Sequence, residues 1–251
     1  MRSLFHSSVP EAVQTAEPTL FPDIEGAEIA AVFVGERVGG DFYDSIRVGP
    51  ERVLFGLLDV GGRREENRSI LMAAQHIFRT FGTELFSHPD MNESDAMTEL
   101  SRHINRGLIE TSPHVHPCPA FIGCYHEKIG TLCYSNAGHT PALLRDHTGI
   151  AELGATGLPL GLFSHVTTES PTIGLEKGSA LLLISRGVIE CEGRPRHPNE
   201  DRGLERVKHF LPTAPSGAKA LCAFILDSVG ANIRESFQCD DRTALALVRS
   251  S

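Results

Sequence analysis

The chain has 251 residues, 41% hydrophobic and 22% charged, enough to bury a full core without disulfide or metal staples. Its 32 acidic against 23 basic residues leave a formal charge of −9, which argues against a nucleic-acid surface. No apolar run approaches the ~20 residues of a membrane span, the N-terminus lacks the apolar core of a signal peptide, and the six cysteines show no Cys-x-x-Cys spacing, so they read as reduced thiols of a cytoplasmic protein.

Residues 1–22, with Pro10, Pro18 and Pro22, read as a polar lead-in with room for a short helix near 11–16. Residues 23–251 read as one domain. Apolar-rich runs at 29–34, 42–48 and 53–58 predict strands, with Gly49-Pro50 marking a hairpin. The period then changes. Ile70, Leu71, Ala74, Ile77, Phe78, Phe81 and Leu85 recur at helical spacing, which predicts a long amphipathic helix over about 64–86. A second is predicted over about 93–110, with Ala96, Leu100, Ile104 and Leu108 as its stripe and Asn92 or Ser94 as its cap. Short strands follow at 120–126, 131–136, 142–145, 166–173 and 180–185. Residues 201–211 and 216–231 return to helical spacing, and 243–248 closes as a strand. Strands mostly adjoin their sequence neighbours, and paired helices separate the strand groups. That order predicts an α+β fold of antiparallel sheets with helices layered on them, not a doubly wound parallel sheet.

Three acidic turns stand at strand ends. Asp41 and Asp44 follow two glycines in Val38-Gly39-Gly40-Asp41-Phe42-Tyr43-Asp44. Asp59-Val60-Gly61-Gly62 ends the next strand, and Asp240-Asp241-Arg242-Thr243 opens the last. One Asp beside Gly is a turn former. Several at strand ends, in this order, are how a fold gathers oxygen ligands for a hard cation from distant parts of a chain. His114-Val115-His116 has ligand-like spacing but sits in a Pro-flanked loop without Cys, and reads as solvated. Arg63-Arg64 beside Glu65-Glu66 reads as a charged helix start, with a phosphate contact near Asp59 as the alternative. No P-loop, Ser-His-Asp order or Gly-x-Gly-x-x-Gly is present.

With Asn136-Ala137-Gly138-His139-Thr140-Pro141 and Gly157-Leu158-Pro159-Leu160-Gly161 between them, these turns resemble the metal-dependent PPM superfamily of protein phosphatases, in its bacterial SpoIIE-type branch. Five segments match in family order, over roughly 20–250. The resemblance implies a four-layer α-β-β-α sandwich and two Mg²⁺ or Mn²⁺ ions at one sheet edge, where a metal-bridging water attacks the phosphorus of a phosphoserine or phosphothreonine. It implies that Asp59 bridges both ions, that the Val60 carbonyl holds the first and that Asp240 holds the second. Asp41 would orient metal-bound waters, with Asp44 and Asp241 as secondary candidates. His139 would be a turn residue. The implied substrate is a phosphorylated regulator, such as an anti-sigma-factor antagonist of the STAS type. The chain reads as a bare output domain, so regulation would come from a separate partner or from self-association, without nucleic acid or membrane.

Two places depart from the pattern, and the first removes a ligand. Where the family places a metal-binding Asp in a Thr-Asp-Gly turn, this chain has Ser185-Arg186-Gly187. Val188-Ile189-Glu190 keeps the Val-x-Glu that follows, so the alignment holds and only the ligand changes. The family's Gly-Lys-Gly after the second acidic turn is also replaced, by Gly62-Arg63-Arg64. Two unit charges about 4 Å apart interact by ~4 kcal/mol at an effective dielectric of ~20. Exchanging Asp for Arg removes an attraction of that order and adds a repulsion. Arg186 either pairs with Asp240 or Asp59 in the vacated site or turns to solvent, and the residues alone leave both open; without metal, the expectation is a guanidinium within salt-bridge reach of Asp41, Asp59 or Asp240. Two functions follow: a metal-dependent phosphatase, or a degenerate pseudophosphatase that binds phosphoproteins.

Overall fold

The computed structural model describes residues 19–35, 40–61, 67–111, 117–165, 168–190, 202–230 and 241–250. Two five-stranded sheets occupy the middle of the molecule. The first runs in the order β2 (Asp41–Arg47), β3 (Arg52–Asp59), β4 (Ala120–His126), β5 (Thr131–Ala137), β8 (Thr172–Gly174). The second runs β1 (Ala27–Val34), β10 (Arg242–Arg249), β9 (Ala180–Ile184), β6 (Ala142–Asp146), β7 (Gly149–Leu153). Every pairing within these sheets is antiparallel. Helices α1 (Arg68–Phe86) and α2 (Glu93–Thr111) cover the first sheet. Helices α3 (Arg186–Glu190), α4 (Arg202–Phe210) and α5 (Ala218–Gly230) cover the second. The α+β architecture of two antiparallel sheets flanked by helices is the one the sequence predicts.

Side-chain alternation builds three apolar layers. On β3, Leu54 and Leu58 face the helices, packing with Phe78 of α1 and Leu100 of α2. Phe55 and Leu57 face the opposite sheet. On β9, Leu182 and Ile184 meet the second helix layer, whereas Leu181 and Leu183 meet the first sheet. On β10, Ala244, Ala246 and Val248 point one way and Leu245 and Leu247 the other. Strands buried on both faces read as continuous apolar runs, which is why 53–58 and 180–184 carry almost no polar residues. A Leu or Phe fully buried in such a layer contributes about 1.5–3 kcal/mol relative to exposure.

Three elements differ from the expectation. The strand predicted at 166–173 survives only as β8, with Thr168 making an isolated bridge to Gly157. Pro171 precedes β8 and has no N–H to give a ladder. No sequence signal marks β7, because its residues Gly149, Ala151 and Glu152 are exposed at a sheet edge and carry no apolar alternation. α3 is five residues long, too short to show a helical period. The lead-in helix expected near 11–16 and the turn at His114-Val115-His116 lie outside the described residues. Near the predicted domain start, Thr19 donates from Oγ1 to the Tyr43 carbonyl and Phe21 stacks on the Tyr43 ring.

Candidate active site

The hairpin of β2 and β3 sets the geometry. Its register places Asp41 directly opposite Asp59. Directly opposed residues point to the same face of a sheet, so the two carboxylates lie side by side. Along β3, positions 55, 57 and 59 share the face turned to the second sheet. Asp41 and Asp59 therefore open toward β9 and β10. Both strands answer there. Thr243 of β10 donates from Oγ1 to Asp41 Oδ2 at 2.6 Å, and the Ser185 hydroxyl just after β9 also bonds Asp41. The backbone N–H of Arg186 donates to Asp59 Oδ2 at 3.1 Å. The Asp59 main chain is fixed in turn, its N–H donating to the Pro119 carbonyl at 2.8 Å.

Asp41 is a strained acid in these surroundings. Burial, more than any other cause, pushes its carboxyl up to about 7, and the charges of Asp59 and Asp241 push the same way against the Ser185 and Thr243 hydrogen bonds. Asp241 is itself buried just before β10, and its carboxylate packs so closely on Gly35 that any side chain there would collide with Oδ1. Two neighbouring acids with a third nearby suit a cation. Carboxylates are hard oxygens, which suit Mg²⁺ or Mn²⁺ and not a thiolate- or imidazole-seeking metal. Among the described residues alone, no group of three Asp, Glu, His or Cys side chains stands at metal-holding distance. Asp240, the third expected ligand, lies outside the described residues.

Asp44 is not brought to this pair. Three residues from Asp41, it points to the opposite face, opposite Gly56 and under α1. Its buried carboxylate receives Arg79 Nε at 2.7 Å and Nη2 at 3.2 Å, with Gln75 Nε2 at 3.4 Å. It acts as a helix-to-sheet tie and not in the shell around a metal. Arg186 does not make the expected ion pair with Asp41 or Asp59 and turns toward solvent instead. Its main chain contacts Asp59, while its guanidinium pairs with Glu190 at 3.6 Å and is about half exposed. Among the described residues no ion pair joins that guanidinium to Asp41 or Asp59. It stays beside the site all the same, since a Cβ built on Gly61 would lie 3.7 Å from Arg186 Nη2.

Two further groups flank the pair. Cys118 is buried, and burial with the Asp59 charge pushes its thiol up to about 12, so a thiolate nucleophile is excluded. His139 is buried as well. Its Nδ1 lies 3.0 Å from the Thr140 carbonyl, which makes Nδ1–H the donor and leaves the Nε2 lone pair without a hydrogen bond. Gly138 before it has φ +67°, and a Cβ there would press within 2.6 Å of the Pro159 ring, so this turn requires glycine. The Asn136 side chain closes the same turn by accepting the His139 N–H at 2.8 Å.

Sequence reasoning gave no role to Ser185, Thr243 or Asn67. The first two lie inside quoted motifs, and only the strand pairing shows that their hydroxyls converge on Asp41. Asn67, 1% exposed, sends its Nδ2 to the carbonyls of Val60 at 3.3 Å and Gly61 at 3.1 Å.

The family described as Stage II sporulation protein E (SpoIIE) matches residues 49–250. The chain belongs to the SpoIIE family. It is 28% identical over 158 residues to the phosphoserine phosphatase RsbP of Bacillus subtilis (strain 168), an alignment covering 61% of this chain and 37% of RsbP. It is 25% identical over 243 residues to the phosphoserine phosphatase RsbU of the same organism, covering 94% of this chain and 67% of RsbU. The chain thus spans little more than a third of RsbP and about two thirds of RsbU. Among solved structures it resembles the RsbU and RsbW domains of Rv1364c from Mycobacterium tuberculosis, with TM-score 0.73 and 23% identity over 92% of this chain and 63% of that one. That likeness concerns the fold. SpoIIE-family domains have the fold of PPM phosphatases, a metal-dependent group. Among the described residues of this SpoIIE-family chain, no helix is long and apolar enough to cross a membrane.

Proposed function

We propose that this SpoIIE-family chain is a Mg²⁺- or Mn²⁺-dependent protein serine/threonine phosphatase acting on a phosphorylated regulatory protein. The observation that carries the proposal is Asp41 facing Asp59 across one hairpin, at the mouth between two sheets. Asp59 and the Val60 carbonyl would hold the first ion, with Asp240 completing the second position. When bound, the ions supply an acidified water and neutralise the phosphoryl oxygens. The chain's own residues do the positioning. Arg186 N–H fixes one Asp59 oxygen, and Thr243 and Ser185 fix Asp41 as an acceptor aimed into the mouth. Cys118 stays protonated and takes no covalent role. The kinship with the phosphoserine phosphatases RsbP and RsbU supports a phosphoserine substrate. By extension, the proposed substrate is a small phosphorylated regulator, such as a STAS-domain antagonist, met in the cytoplasm.

A second reading rests on Arg186. Its positive charge beside Gly61 opposes a second ion where the family has a carboxylate. The chain would then be a pseudophosphatase that docks phosphoproteins without releasing phosphate. One comparison separates the two. Purified chain is assayed on p-nitrophenyl phosphate and a phosphoserine peptide across a Mn²⁺ titration, with calorimetry counting bound ions. The phosphatase reading predicts Mn²⁺-dependent turnover that Asp59→Ala abolishes. Arg186→Asp should add a second tightly bound ion and raise turnover at saturating Mn²⁺. Phosphopeptide binding without turnover, at every Mn²⁺ concentration, would establish the second reading. Two tight ions in the wild type with no gain in Arg186→Asp would make Arg186 a phosphate-binding residue.

A further inference from the structure

Asn67 stands at the N-cap of α1, where an Asn side chain ordinarily accepts a hydrogen bond from the first turn of the helix. It makes no such cap bond here. Its carbonyl starts the helix by accepting the Leu71 N–H at 2.9 Å, while its side chain turns back toward the end of β3. The Nδ2 amide donates to both the Val60 carbonyl, at 3.3 Å, and the Gly61 carbonyl, at 3.1 Å. Two acceptors facing one end of a carboxamide settle which end carries the hydrogens. The group is 1% exposed, so water does not compete for it. From the other side Gly40 closes the arrangement. A Cβ on Gly40 would lie 2.5 Å from the Val60 oxygen and 2.9 Å from Asn67 Nδ2. The Val60 carbonyl is thus wedged between a bare backbone and a buried neutral donor.

We infer that Asn67 is a positioning residue that orients the Val60 carbonyl as a metal ligand, resting on the metal-dependent reading above. A carbonyl oxygen has two lone pairs. Asn67 occupies one, and the other remains to meet a cation between Asp59 and the turn. A neutral donor suits this place better than Lys or Arg, because it fixes the oxygen without adding charge against the ion. Groups that hold metal ligands in place typically change metal affinity by about 10–100-fold when lost.

The test uses Mn²⁺ alone and no substrate. Calorimetry on the full chain measures the dissociation constant for wild type, Asn67→Ala and Asn67→Leu, alongside the thermal midpoint of each metal-free protein. Leu keeps the branched shape and removes the donor. Both variants should bind Mn²⁺ at least about tenfold more weakly than wild type, and in a separate assay the Mn²⁺ concentration giving half-maximal turnover of p-nitrophenyl phosphate should rise by the same factor. Wild-type affinity in both variants, or in Asn67→Leu alone, would overturn the inference and leave the phosphatase reading standing. A wild type that binds no Mn²⁺ would overturn both. A measurement on the wild type covers the case of variants that fail to fold. Titration with Mg²⁺ should shift the Asn67 side-chain amide resonances, and resonances that stay fixed while the Asp59 backbone amide moves would refute the inference.

Discussion

Asp41 and Asp44 show what strand alternation does to two similar residues. One faces the mouth between the sheets, and the other is spent on Arg79 beneath a helix. Arg79→Ala should therefore cost stability, about 3–5 kcal/mol for an uncompensated buried charge, while leaving Mn²⁺ affinity nearly unchanged. Denaturant midpoints and calorimetry check the two halves separately, and a large loss of affinity would contradict the assignment of Asp44. His139 carries a pH prediction. Burial holds its imidazole below the ordinary 6.5, so the folded chain keeps it neutral while the unfolded chain protonates it. Its stabilising contribution is then full above about pH 6.5 and is lost as pH falls below it, at up to about 1.4 kcal/mol per pH unit. Urea midpoints at pH 7.5 and 5.5 in metal-free buffer should show a smaller acid loss for His139→Gln than for wild type. Equal losses would place the acid sensitivity elsewhere. The acidic turns were legible in the sequence because Asp beside Gly at a strand end is a local pattern. Asn67, Ser185 and Thr243 were not, because what they bond is set by strands and helices far away in the chain.

At the scale of elements, α2 reaches the site through a loop. Asn105, buried on α2, accepts the Gly161 N–H at 2.8 Å and donates to the Phe163 carbonyl at 3.0 Å. The same loop pairs with the segment before β4, Cys118 N–H giving to the Leu160 carbonyl at 2.7 Å. Pro119 then accepts from Asp59. Asn105→Ala leaves the buried Gly161 N–H and the part-buried Phe163 carbonyl without their partner and should destabilise by about 1–3 kcal/mol. Hydrogen exchange should quicken over 157–165 first. Uniform acceleration over the whole chain, with no local excess, would show that Asn105 is not a loop clamp. The amphipathic period of α1 and α2 and the apolar runs of β3 and β9 were readable because each is long and buried. β7 and the true extent of β8 were not, one being exposed on its edge and the other beginning only after Pro171.

At the scale of the molecule, the sandwich brings the two sheets face to face and gathers the ends of β2, β3, β9 and β10 at one mouth. The order of strands and helices along the sequence carried that architecture. The meeting of β2 with β10 depended on how the two sheets pack, and no local pattern encodes it. The central claim is that a divalent ion sits between Asp59 and the Val60 carbonyl. Anomalous diffraction from a crystal soaked in Mn²⁺ tests this most directly. The account predicts a peak at roughly 2.0–2.6 Å from an Asp59 carboxylate oxygen and from the Val60 oxygen, with a second, stronger in Arg186→Asp than in wild type. Full Mn²⁺ occupancy elsewhere on the surface, with no peak beside Asp59, would contradict it.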